Sequence, residues 1–263
     1  MAAGDLLTAD GQIEVGGTGS AILLGTSSYQ VIDWDLFPEL SIDEATAQAN
    51  GDGLVVARQL AGAARLTVDV RCLGTGSTIM TNRNALAAAV ALNGDDDYLA
   101  FMTGGAKYLY HGVWMKSTTQ PRVGLPMRLK FLSPEPAFYS CTVTTTTVDA
   151  SETVTNAGTR ASGWEIIVTP ASVPLVGPYV RRLDDTSMTI KYSGTVAVGE
   201  TLRINTRTMQ AIKDGDDVSR YLSDGAGNVP AWWRLAPGAN SVGGGATSGF
   251  TSYSLTHRAG YEV

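Results

Sequence analysis

The stretch ARLTVDVRC, residues 64–72, alternates strictly: Leu66, Val68, Val70 and Cys72 are apolar, and Arg65, Thr67, Asp69 and Arg71 are polar. Side chains two apart share a face of an extended chain, so the pattern predicts a strand with one dry and one wet side. A helix would scatter the same set around its axis. The period returns in PMRLKFLS, with Met127, Leu129 and Phe131 on one face, and in SMTIKYSG, with Met188, Ile190 and Tyr192. ETLRIN repeats it with Leu202 and Ile204. Between such runs stand turn signals, NGDG at Asn50–Gly53 and Asp214-Gly215 within KDGDD, the chemistry of tight hairpins. The chain is therefore predicted to be mainly β.

One segment breaks the period. STIMTNRNALAAAVALNG places Ile79, Leu86, Ala89 and Val90 at helical spacing. Ser77, Thr78 or Thr81 is expected to cap its start and Asn93-Gly94 to end it. Asp95, Asp96 and Asp97 follow, and without the D-x-D-x-D-G alternation of a calcium loop they read as an exposed loop. Pro134 and Pro136, in FLSPEPAFYSC, cannot continue a central strand. They suggest a boundary between residues 1–136, strands plus one helix, and 137–263, all β, with a sandwich the natural architecture for the second part.

Composition excludes several roles. With net charge −6 and only Arg181 and Arg182 adjacent among the bases, no basic patch for nucleic acid is visible. The opening residues lack a charged n-region and an apolar h-region, so no secretory signal is expected, and no apolar run is long enough to cross a bilayer. Cys72 and Cys141 are read as free buried thiols, with a disulfide left as the alternative. His111 and His257 have no ligand motif near them, so no metal is expected. No nucleophile elbow or Walker loop occurs. The glycine-rich GGTGS and GGGATSG precede no helical pattern and read as flexible loops rather than phosphate cradles. The pairs Asp33 and Asp35, Asp184 and Asp185, and Asp216 and Asp217 lie too close in sequence to face one another across a cleft. No catalytic, metal or cofactor site is predicted.

Two adjacent tryptophans stand out in AWWRLAPGANSVGGG. Pro237 and Gly238 fit the central positions of a type II turn, so AWWRL is predicted to be a strand reversed by APGA. Ala231, Trp233 and Leu235 then face the core, and Trp232 and Arg234 the other side. Trp232 is either a ring on a half-covered sheet face or an interface or glycan platform, with Trp164 the second candidate platform.

The order of features in the second half resembles the carboxy-terminal domain of the distal tail proteins of long-tailed phages. The segments are VTNAGTRASGWEIIVTP, VGETLRINTRTMQAIKDGDDVSRYL and WWRLAPGANSV, then a last strand TSYSLTHRAGYEV. IEVGG, YQVIDWDLFPEL, the NGDG turn, one helix and FLSPEPAFYS resemble the family's amino-terminal domain in turn. Trp164 stands where the family often has proline, and Gly243–Gly245 make the final hairpin loop looser than its pattern. The resemblance implies a tube-like β-barrel or sandwich with one helix, followed by a galectin-like β-sandwich. It implies a non-enzymatic virion protein, made in the host cytoplasm and located at the tail tip. There a hexameric ring joins the tail tube to the tip or fibre complex, and DNA passes through without specific binding. The alternative is a carbohydrate-binding accessory protein for cell-wall recognition, with Trp232 or Trp164 as platform. A wall hydrolase and a tail tube subunit are the remaining rivals.

Overall fold

The computed structural model of the chain describes residues 2–17, 20–36, 42–47, 55–61, 64–90, 97–119, 125–133, 135, 137–250 and 252–262. The NGDG turn, Asp95, Asp96 and the Asn93-Gly94 helix stop lie outside them. Contacts divide the chain into two compact units, Met1–Cys141 with Tyr261–Val263, and Thr142–Gly260.

The first unit is built on a six-stranded sheet. Its order is β2 (Ser20–Leu24), β1 (Ile13–Gly17), β7 (Tyr98–Thr103), β8 (Ala106–His111), β11 (Ala137–Ser140) and β25 (Gly260–Glu262). A second sheet runs β3 (Tyr29–Asp35), β6 (Ala64–Cys72), β10 (Met127–Ser133) and β9 (Trp114–Thr119). The strands β4 (Ile42–Ala47) and β5 (Val55–Ala61) pair with each other. Neighbouring strands pair antiparallel, as in β6 with β10, where Val68 faces Leu129 and Leu66 faces Phe131. Those alternating residues, buried as the sequence predicts, form one core with Ile13, Val15, Leu99 and Phe101 of the other sheet. No sheet closes into a barrel among the described residues.

A second, smaller cluster lies on the opposite face of the six-stranded sheet, where Leu7 packs with Tyr98, Leu109 and Tyr139. The chain start is fastened there by Glu14, fully buried. Its carboxylate accepts the Leu6 backbone N–H (2.8 Å) and the Tyr98 hydroxyl (2.6 Å). Burial without such donors would be costly for a carboxylate.

The helix α1 spans Ser77–Ala89 and buries Leu86. Its cap differs from the expected one. Gly76 occupies the N-cap at φ 52° and no side chain caps the turn; Thr81 Oγ1 instead donates to the Ser77 carbonyl. The backbone conformation before the helix requires a positive φ, which favours glycine over the hydroxyl residues that follow.

The second unit is a β-sandwich. One sheet has the order β12 (Thr144–Val148), β24 (Tyr253–His257), β14 (Trp164–Val168), β19 (Leu202–Asn205), β20 (Gln210–Lys213) and β21 (Asp216–Asp217). The other runs β13 (Glu152–Asn156), β23 (Gly238–Gly245), β16 (Tyr179–Arg182), β17 (Thr189–Tyr192) and β22 (Leu222–Ser223). A short ribbon pairs β15 (Leu175–Val176) with β18 (Thr195–Val196). The apolar sides of both sheets meet in one core that includes Ile166, Ile204 and Leu255 from the first and Val154, Val180, Ile190 and Val242 from the second. The Asp214-Gly215 turn has φ 48° and 95°, both positive, the geometry a two-residue hairpin turn of the primed kind needs.

Candidate functional site

Trp164 occupies a different place from the one the sequence suggests. Trp164 is 1% exposed and its ring centroid lies 4.5 Å from that of Trp233. A buried indole offers no face to a sugar, so Trp164 is a core residue and not a platform. AWWRL is not a regular strand. Only Leu235 forms a bridge, exchanging backbone bonds with Ser162 at 2.8 and 2.9 Å. Trp233 and Leu235 do point inward, as predicted. Trp232 is half-buried with part of its surface against the same core, and Arg234 is half-buried as well.

The residues that punctuate the second half act as clamps. Asn240, 7% exposed, closes the Pro237-Gly238 turn. Its Oδ1 accepts the Ala236 N–H (2.8 Å), and its Nδ2 donates to the carbonyls of Ala236 (2.8 Å), Gly238 (3.0 Å) and Val154 (3.3 Å). Gly238 has φ 86°, as the turn requires. Asn156 does the same for the opposite loop, donating to Arg160 and Leu235 carbonyls and accepting the Gly158 N–H. Thr206 accepts the Trp164 N–H at 2.9 Å and returns its hydroxyl proton to the Trp164 carbonyl at 3.0 Å.

The glycine run is no loop. Gly243, Gly244 and Gly245 are buried in β23, between β13 and β16. A Cβ on Gly243 would stand 2.6 Å from the Ala150 carbonyl oxygen, and one on Gly244 2.9 Å from the Tyr253 ring. Glycine is needed for close approach, not for mobility. In GGTGS likewise, Gly16 and Gly17 belong to β1, and Thr18 and Gly19 lie outside the described residues.

Several titratable groups fasten local structure. Asp184 pairs with Arg182, which holds its carboxyl below the usual range. Asp185 accepts the Ser187 hydroxyl and N–H, and Asp217 accepts the Ser219 N–H. His257 is 4% exposed; its Nε2 is bonded to the Thr155 carbonyl at 3.1 Å, and its Nδ1 is buried without a partner. Cys72 is buried and Cys141 half-exposed, and neither forms a disulfide. Among the described residues no group of three or more His, Cys, Asp or Glu could hold a metal ion, and no helix is long and apolar enough to cross a membrane. A shallow cleft beside Thr169, Ser172, Leu175 and Tyr253 carries no carboxylate, imidazole, thiol or cation in its lining. The sequence reading does not single out Tyr179, Arg181 and Lys191, which strand register brings side by side on one outward face. Alternation within YVRR shows which residues point outward, but not which strand lies next to it.

The fold has known counterparts. The chain is similar along almost its whole length to the Dit protein of phage SPP1. That protein is described as a paradigm of the hub adsorption apparatus in phages that infect Gram-positive hosts. The TM-score is 0.65 at 17% identity, covering 94% of this chain and 98% of that one. It is also similar to a chain of the phage P2 baseplate in its activated conformation with Ca, at TM-score 0.59 and 11% identity, covering 94% and 97%. The phage p2 baseplate with Sr gives TM-score 0.57 at 11% identity with the same coverage. No protein-family model and no curated protein matches the sequence. The chain thus has a Dit-like fold.

Proposed function

We propose that this chain is a structural protein of a phage tail tip, a hub that works by assembly and not by catalysis. The observation that carries the reading is coverage: the likeness to the SPP1 hub protein runs through 94% of this chain and 98% of that one, far more than either unit alone. Six copies would close into a ring joining the tail tube to the tip or fibre complex, the first unit lining it and the galectin-like second unit facing outward. A closed ring of heterologous contacts needs each interface to bury at least about 1,000 Å². Trp232 and Arg234, half-buried at the surface of the second unit, are our candidates for contacts with a neighbouring tail protein.

Charge supports the first unit as the lining. Residues 1–141 and 261–263 hold nine Lys and Arg against fifteen Asp and Glu, a net −6; residues 142–260 hold ten of each, a net of zero. The whole formal charge of the chain thus sits in one unit, and an acidic wall repels phosphates and lets DNA slide. Mass photometry of the purified protein at rising concentration tests the ring, and antibody labelling of the parent particle tests the tail-tip location. A species that stays monomeric at high concentration, or label along the tail shaft, overturns the reading.

A further inference from the structure

The outward face of the five-stranded sheet gathers groups that lie far apart in sequence. Val180, Ile190 and Val242 point into the sandwich core, so Tyr179, Arg181, Thr189 and Lys191 point away from it. Register sets Tyr179 opposite Lys191 and Arg181 opposite Thr189, with Ser223 beyond Lys191. On the other flank Tyr179 faces Gly245, and its ring fills the space where a Cβ would be. The Arg181 Cζ stands 5.6 Å from the Tyr179 ring centroid.

Two features of this face need an occupant. Arg181 Nε is shut off from water and has no acceptor. Among the described residues neither Arg181 nor Lys191 belongs to an ion pair. The outward residues of the flanking strands, Thr153, Thr155 and Ser241, add hydroxyls and no carboxylate. A partly desolvated cation without a counter-charge is unfavourable until an anion reaches it.

We propose that this face binds an acidic saccharide, a chain of hydroxyl-bearing rings carrying carboxylate groups. The Arg181 guanidinium supplies a planar fork of donors for an anionic oxygen and Lys191 a second positive charge. Tyr179 gives an apolar ring beside Arg181, and the threonine and serine hydroxyls match sugar hydroxyls. Among the described residues the outward positions of β16, β17 and β23 hold one aromatic ring, Tyr179, and no cluster of the large apolar anchors on which protein interfaces depend. The site does not require the hub assembly, so the two readings can fail separately.

The test is calorimetric titration of the full-length protein with hexagalacturonate at low ionic strength, beside neutral maltohexaose, hexaglutamate and inorganic phosphate. Hexagalacturonate should bind most tightly, and Arg181→Gln and Lys191→Gln should each weaken it about tenfold. Amide shifts should map to Tyr179–Arg182 and Thr189–Tyr192, which locates the site even where a variant does not fold. Hexaglutamate or phosphate binding as tightly would mean that the face reads charge alone, and overturns the proposal. So would absence of binding, or shifts elsewhere on the protein. Mass photometry on the same samples reports assembly independently.

Discussion

His257 is a buried imidazole whose surroundings suit only its neutral form. Burial pushes its pKa below the ordinary 6.5, and the Thr155 carbonyl opposes this only in part. As pH falls, the unfolded chain therefore takes up this proton before the folded one does. The stability His257 supports is whole above the unfolded value of 6.5 and drains away as pH drops from there through the folded value. Thermal melts should show a midpoint that falls between neutral and mildly acidic pH, and His257→Gln should flatten that part of the slope. A second residue-scale consequence concerns Gly243 and Gly245. The obstacle to a Cβ on Gly243 is the Ala150 backbone, whereas on Gly245 it is the hydroxyl end of Tyr179. Backbone yields less readily than a side-chain tip. Gly243→Ala should therefore destabilise by about 1–3 kcal/mol in denaturant melts, and Gly245→Ala by less.

Turns, more than strands, separate what was legible in this sequence from what was not. The alternation in β6, β10, β17 and β19 identified both the strands and their buried faces, because period two survives whatever the strand pairs with. The Asp214-Gly215 turn was legible for the same local reason. AWWRL was not, because a run of five suitable residues does not reveal that only Leu235 finds a backbone partner. The glycines of β23 carry no side-chain pattern, so their burial depends on neighbours that sequence does not place beside them. Asn240 shows how such an element is held. It joins the Pro237-Gly238 turn to β13 through four hydrogen bonds, almost fully buried. Asn240→Ala would leave those backbone groups unpaired and should destabilise the protein by about 1–3 kcal/mol. Asn240→Asp keeps the acceptor but loses the three donor contacts. Unfolding midpoints close to wild type for both variants would show that the turn holds without its clamp.

At the scale of the molecule, the uneven division of charge bears on assembly. With a net −6 confined to the first unit, the proposed ring would have to overcome the mutual repulsion of its six copies. The repulsion acts across solvent and is therefore screened, over about 10 Å at 0.1 M salt. Apolar contacts between subunits are not weakened by salt, and excluded salts such as sulfate strengthen them. Raising ionic strength should therefore shift the protein from small species toward the ring, with sulfate more effective than chloride at equal ionic strength. Mass photometry over a salt series reads this directly. Dissociation on adding salt would mean that the acidic side chains meet cations across the subunit contact. They would then be committed to the interface rather than to the lining, and the account of an acidic conduit would fail even if the ring itself were real.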